Sequence, residues 1–215
     1  VLVPIDSKAL VQPAVEAARK GIPVINIDIQ LDAQLLEQAG VEVAFVGPDN
    51  FAAAYEVGKL LGKKLRNEDK VAIIEGLAVA DNARQRKRGF IKAIEEKGLR
   101  LVASEPADWE TEKAAEVFQA MWMRYPDLKA VYCSNDAMAL GVLQQMQEKK
   151  CYLPVVGFDN DAVMKEFLST GKLVATADIF SSQMAVRGIE FALDVLEGRI
   201  ENRGVHSTAY EIIKQ

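Results

Sequence analysis

Short apolar runs alternate with longer amphipathic segments along the 215-residue chain, and this alternation limits the folds open to it. The short runs are rich in β-branched residues and predict buried strands. They are Val1–Pro4, Pro23–Ile27, Val41–Val46, Val71–Ile74, Leu101–Ala103, Ala130–Ser134, Pro154–Phe158 and Leu173–Ala177. The intervening segments predict helices at Ala9–Lys20, Phe51–Leu65, Ala83–Lys97, Glu112–Arg124, Ala137–Glu148, Ala162–Leu168 and Ser182–Leu196. Strands alternating with helices predict an α/β fold with parallel sheets.

Composition and missing motifs disfavour several classes of function. A net charge of −5 disfavours nucleic acid, because phosphate binding needs clustered lysine and arginine. The one dense basic run, Arg84–Arg88, is interpreted as a solvated helix face. Glycine-rich phosphate loops and the G-x-S-x-G elbow are absent, and two cysteines and one histidine lack metal-ligand spacing. We therefore expect no cofactor and no metal; only an aspartate pair, Asp28 and Asp159, leaves acid–base chemistry open.

Polar residues follow the predicted strands, at the edge where open parallel sheets bind ligands. The residues at these strand ends are Asp28, Arg84, Trp109, Asn135, Asp136, Asp159 and Asn160. Carboxylates accept hydrogen bonds from hydroxyls, arginine donates in a fork, asparagine does both, and an indole face covers the C–H face of a sugar ring. The set predicts a site for a polyhydroxylated ligand.

Each of these residues also has a structural interpretation. Asp136 is suited to capping the helix that follows it, and Asp159 or Asn160 to capping the next one. Asp28 fits a turn, Arg84 fits the basic helix face, and Trp109 fits a surface or core aromatic position. Their shared position at strand ends favours a ligand-binding site over these structural interpretations.

Four blocks resemble the type I periplasmic sugar-binding proteins, in particular the ribose- and glucose/galactose-binding proteins. The blocks are Gly21–Asp28, Asp81–Arg86, Ser134–Gly141 and Val156–Asp159, in the order and spacing of that family. The block Asn-Asp-x-Met-Ala-Leu-Gly with Gly-Phe-Asp some twenty residues later is also shared with the ligand-sensing cores of the lac-repressor family.

The resemblance implies two α/β lobes with a sugar between them. It implies that residues 1–48 and 177–205 belong to the N-lobe, and that residues 49–176 and a C-terminal strand within 206–215 belong to the C-lobe. Asp28 would accept hydroxyls from the N-lobe, Trp109 would stack on the sugar, and Arg84, Asn135 and Asp159 would bind it from the C-lobe. Asn82, in the second block, and Asp178, at the second crossover, complete the candidate ligand-binding residues.

Three positions depart from the family pattern, because Val3, Ile29 and Ile179 stand where polar residues are expected. Ribose or glucose is therefore not assumed, and another pentose, hexose, deoxy sugar or cyclitol remains open.

The resemblance implies a non-enzymatic substrate-binding component of an ABC-type sugar importer, closing by a hinge around a monosaccharide or polyol and docking on a membrane permease. Such a protein is periplasmic, or lipid-anchored in a Gram-positive cell. The alternative is a sensor, either the effector core of a lac-repressor-type regulator or the partner of a signalling receptor. A third possibility, a hydrolase or isomerase, is disfavoured because the sequence contains no motif for it.

Two expectations concern the chain itself. Val1–Pro4 resembles the family's third strand, so two βα units and a signal peptide are absent before it, and we expect self-association through the incomplete N-lobe. Cys133 and Cys151 are expected to be free thiols, because they lie at opposite ends of neighbouring parallel strands.

Overall fold

A computed structural model describes residues 1–214 of the chain. The helices are α1 (Val11–Arg19), α2 (Ala33–Gln38), α3 (Asn50–Gly62), α4 (Asp81–Lys97), α5 (Thr111–Arg124), α6 (Asp136–Glu148), α7 (Met164–Ser169) and α8 (Ser181–Leu196). The strands are β1 (Ile25–Ile27), β2 (Ala44–Pro48), β3 (Lys70–Glu75), β4 (Arg100–Pro106), β5 (Ala130–Cys133), β6 (Val155–Val156), β7 (Leu173–Asp178), β8 (Val205–Thr208) and β9 (Glu211–Lys214). The order of helices and strands confirms the predicted α/β class.

The chain divides into two compact units. The first unit contains Val1–Asp49, Val79–Asn82 and Ile179–Ala209, and its parallel sheet has the strand order β1-β2-β8. A small apolar cluster on β1 and β2, including Ile25 and Ala44, packs against Phe191 and Val195 of α8.

The second unit contains Asn50–Ala78, Ala83–Asp178 and the chain from Tyr210 onward. Its sheet has the order β4-β3-β5-β6-β7-β9, in which only β9 runs antiparallel to its neighbour. Every residue of β5 is fully buried, as expected for the interior of a parallel sheet covered on both faces. The carboxyl ends of β3, β5 and β6 thus lie at one edge of this sheet.

The predicted first strand, Val1–Pro4, is wrong as a strand. Only Leu2 forms an isolated parallel bridge, to Asn26, and the chain bends from Ile5 onward. Pro4 has no N–H to continue the ladder, which is a physical reason for the pairing to stop. The short helix α2, capped by Asp32, was not expected from the sequence.

The unit boundaries differ in detail from those that the resemblance implied. The expected boundaries at residues 48, 176 and 205 lie near unit ends at Asp49, Asp178 and Ala209. Residues 206–208 belong to β8, which pairs with β2, so the return to the second unit begins at Tyr210.

The two cysteines are free thiols, as expected, with Cys133 buried and Cys151 half-buried. Within residues 1–214, no helix combines the length and the apolar character that a membrane span requires. The same residues contain no cluster of three or more side chains suited to hold a metal ion.

Candidate functional site

Arg86 is the most deeply buried cation at the strand ends of the second unit, with 3% of its side chain exposed. The buried residues of α4 include Ala83, Phe90 and Ala93, which recur at helical spacing. Arg86 falls on this same face, because it lies three residues after Ala83 and four before Phe90. The helix therefore directs a guanidinium inward where its pattern would otherwise place an apolar side chain.

Three acceptors surround the Arg86 guanidinium. Its Nε donates to Asn50 Oδ1 at 2.9 Å, and its Nη1 donates to the main-chain oxygen of Ser134 at 2.8 Å. Nη1 also lies 3.3 Å from Asp159 Oδ1. A buried charge is tolerated where it is paired and hydrogen-bonded in this way. These contacts use the Nε and Nη1 groups of the guanidinium.

Two aromatic rings flank the same guanidinium. The Arg86 carbon Cζ lies 3.7 Å from the centre of the Phe158 ring and 5.6 Å from that of Trp109. Trp109 and the preceding Asp108 both have positive φ, 72° and 53°, a conformation that non-glycine residues rarely adopt. The Trp109 ring lies against Gly76, where a Cβ atom would come within 2.1 Å of Cη2. Gly76 therefore makes the room that this indole occupies.

The loop after β6 carries Asp159 in an unusual backbone conformation. Asp159 and Asn160 have φ angles of 109° and 59°. The loop is held on β7, since Asp159 N–H donates to Ala177 O at 2.7 Å and Asn160 N–H donates to Thr176 Oγ1 at 3.2 Å. The Asn160 amide also donates to Asp178 Oδ2 at 2.9 Å. Asp159 therefore has a defined place opposite Arg86, and neither Asp159 nor Asn160 caps a helix.

Asn135, and not Asp136 as predicted, caps the helix α6. Asn135 is the N-cap of α6, because its Oδ1 accepts from Met138 N–H at 2.9 Å. The predicted cap, Asp136, instead lies fully buried in the first turn and accepts from Asp161 N–H and Thr176 Oγ1. Burial, with smaller repulsion from Asp159, raises the pKa of the Asp136 carboxyl to about 7.

Several buried hydroxyl and amide oxygens have no hydrogen-bond partner among the described residues. Tyr132, on β5, and Ser134, directly after it, hold two of these, and Asn82 Oδ1 is a third. Tyr132 stacks on Phe90 with ring centres 4.3 Å apart, and burial raises the pKa of its hydroxyl. Polar atoms of this kind call for a ligand or water partner.

Asp28 belongs to the first unit, on a loop organised by Asn26. The Asn26 side chain, 1% exposed, donates to Ile29 O at 2.8 Å and accepts from Leu31 N–H at 2.7 Å. Asp28 adopts φ 65° within this loop, so the turn interpretation describes its backbone. Asn82 also belongs to the first unit, at the beginning of α4.

The second unit brings together Trp109 and Asp159 from the predicted set, with Asp178 linked to the Asp159 loop through Asn160. The structure adds Arg86, which was not among the predicted residues. Arg84 is exposed and donates to Ala78 O at 3.2 Å, whereas Arg86 makes the buried contact with Asp159. The interpretation of the whole basic run as a solvated face is therefore wrong at Arg86.

Comparisons with known proteins match this fold throughout the chain. Residues 1–200 match the family model of the periplasmic binding protein domain. The D-ribose/D-allose-binding protein of Pseudomonas aeruginosa is 41% identical over 218 residues, covering 99% of this chain and 68% of that protein. The D-allose-binding periplasmic protein of Escherichia coli is 35% identical over 196 residues, covering 89% of this chain and 63% of that protein.

A solved structure of a binding protein also has the same fold over nearly the whole chain. The ABC transporter periplasmic solute-binding protein of Actinobacillus succinogenes with bound D-allose has a TM-score of 0.91 and 32% identity, covering 99% of this chain and 76% of that one. These relatives are binding proteins, in agreement with the prediction that the chain is not an enzyme. The chain belongs to the family of periplasmic binding protein domains, as its sequence motifs indicated.

Proposed function

We propose that the chain binds a monosaccharide or related polyol through Arg86, Asp159 and Trp109, as part of the substrate-binding component of an ABC-type sugar importer. Its macromolecular partner is then the membrane permease, and its place of work is outside the cytoplasmic membrane. Relatives named for D-ribose and D-allose support the sugar class. The observation that carries the proposal is the buried guanidinium of Arg86, which is paired with Asp159 and lies close to the rings of Phe158 and Trp109.

The chemistry of Arg86, Asp159 and Trp109 fits two neighbouring hydroxyls of a sugar. Asp159 accepts from one hydroxyl, and the remaining donors of Arg86 bind the oxygen of the next. Trp109 offers an apolar face to the C–H groups of the ring. Because Arg86 is already fixed by Asn50 and Ser134, little side-chain entropy is lost when the ligand binds.

The experiment compares Arg86 with an exposed arginine of the same helix by titration calorimetry with D-allose and D-ribose. Arg86→Gln should weaken binding by about tenfold to a hundredfold or more, because each hydrogen bond to a charged group contributes about 1.5–3 kcal/mol. Arg88→Gln, two residues away on the exposed face of α4, is the matched control and should bind like the wild type. Arg86→Lys keeps the positive charge but lacks the planar guanidinium, so it tests the contribution of the guanidinium's hydrogen-bond geometry.

Wild-type affinity in Arg86→Gln, or an equal loss in Arg88→Gln, would contradict this assignment. Circular dichroism of each variant shows whether the fold is retained. Should Arg86→Gln not fold, Arg86→Lys decides, because it leaves Asp159 with a cationic partner.

The chain also presents an apolar surface that supports a proposal of self-association. On α8, Val186, Ile189, Leu193 and Leu196 are exposed by 54%, 54%, 49% and 66% and recur at helical spacing. In two antiparallel copies of α8, Val186 would face Leu196 and Ile189 would face Leu193. In this pairing apolar side chains meet apolar side chains, so the surface is complementary to itself.

A further inference from the structure

One buried carboxylate, that of Asp136, holds the loop that carries Asp159. Asp136 is fully buried, and its Oδ2 accepts from Asp161 N–H at 2.8 Å. Its Oδ1 accepts from Thr176 Oγ1 at 2.9 Å, and its own N–H donates to Phe158 O at 2.7 Å. The residue thus ties the beginning of α6 to the loop after β6 and to β7.

The backbone of the loop lies directly on this carboxylate. A Cβ atom at Gly157 would come within 2.0 Å of Asp136 Oδ1, so only glycine fits there. The next residue, Phe158, is fully buried and its ring packs on the Arg86 guanidinium. A shift of Asp136 would therefore move Phe158 and Asp159 together, on the side of the site that faces Arg86.

We propose that Asp136 is a positioning residue for sugar binding, whose carboxylate fixes residues 157–161 on β7 and so sets the place of Asp159 opposite Arg86. The inference rests on the proposed function, because it concerns the same site. Asp136 does not touch the sugar in this account; it acts through the loop.

The ionised form of Asp136 suits this role better than the protonated form. Both groups that face it, Asp161 N–H and the Thr176 hydroxyl, have a proton to donate, and Thr176 Oγ1 in turn accepts from Asn160 N–H. A protonated carboxyl would donate to Thr176 Oγ1 and leave the buried Thr176 proton without an acceptor. Protonation of Asp136 should therefore loosen the loop.

The charged and titratable groups around Asp136 are Asp159, Asp161 and Cys133, with Arg86 paired to Asp159. Burial raises the pKa of Asp136 to about 7, so its protonation changes near neutral pH. Since the ionised form positions Asp159, affinity for sugar should fall as the pH is lowered through this range.

The test is calorimetry with D-allose between pH 6 and 8.5. We expect wild-type affinity to fall severalfold at the acid end, and Asp136→Asn to bind at least tenfold more weakly at pH 8.5 with no inflection near pH 7. Asp127→Asn is the matched control, because Asp127 is a half-exposed carboxylate paired with Lys70 in the same unit. It should keep both the affinity and the inflection.

A second measurement does not depend on sugar. Amide hydrogen exchange of residues 159–161 should be faster in Asp136→Asn than in the wild type or Asp127→Asn. Thr176→Val, which removes the facing hydroxyl at nearly constant volume, should speed exchange in the same loop and serves where Asp136→Asn does not fold.

The two proposals fail differently. If the wild type binds neither D-allose nor D-ribose while loop exchange still depends on Asp136, the proposed function fails and the positioning role stands. If Asp136→Asn binds D-allose like the wild type, or keeps the pH inflection, the positioning role is wrong while sugar binding stands.

Discussion

Gly76 and Trp109 are in contact at the end of β3, and the contact leaves no room for a Cβ atom at position 76. The indole of Trp109 is half-buried on a backbone that has a positive φ. Such a conformation costs on the order of 1–3 kcal/mol and persists where the surrounding structure fixes it. The absence of a side chain at position 76 is one of the features that fix it.

We expect Gly76→Ala to displace the Trp109 ring and weaken D-allose binding by about threefold to tenfold, the amount that one aromatic contact contributes. Tryptophan emission in a Trp122→Phe background reports Trp109 alone and should shift. Gly62→Ala is the control, because its Cβ would meet only the flexible side chain of Lys97, at 3.3 Å. Unchanged emission and affinity in Gly76→Ala would show that the indole does not depend on this glycine.

At the site, the sequence predicted Asp159 and Trp109 from their positions after predicted strands, and it did not predict Arg86. Arg86 was missed because residues 84–88 were treated as one basic face. The spacing of Ala83, Phe90 and Ala93 was a signal that places Arg86 on the buried side of α4 and Arg84 outside it. For Asp136, by contrast, no sequence pattern distinguishes a cap from a buried carboxylate, since both follow a strand.

At the scale of elements, the strands of the second unit were predictable because buried parallel strands are continuous apolar runs, as in β3 and β5. The strand β8 was not predictable from its own residues. Val205 and His206 are mostly exposed, and pairing with β2 determines that they form a strand. Such pairing between distant segments overrides local propensity.

The exposed apolar residues of α8 lead us to predict that the chain self-associates. Light scattering should give a mass that rises with concentration above the 23.6 kDa of one chain. Leu193→Lys should return the chain to a monomer, because it places a charge in the apolar surface. Met123→Lys, at a 76% exposed methionine on α5, is the control and should leave association unchanged. A monomeric wild type at high concentration would contradict the proposal.

At the scale of the whole molecule, the acidic chain contains one unit that holds Arg86, Asp159 and Trp109 by itself. The chain spans about two thirds of the length of the curated relatives that it matches, 68% and 63% for the two described above. Because the chain spans only part of its relatives, their sugar affinities cannot stand in for its own. The affinity should be measured on this chain, with a signal that comes from Arg86 or Trp109.

The central claim is that a monosaccharide binds at Arg86 and Trp109, and magnetic resonance of the labelled chain tests it most directly. During titration with D-allose, the Arg86 Nε–H and Trp109 Nε1–H signals should shift together and saturate at one sugar per chain. The Trp122 indole signal serves as the internal reference, since Trp122 is partly buried, stacks on the core residue Phe118 and should not move. Saturable binding of D-allose that leaves both the Arg86 and the Trp109 signals in place would contradict the account.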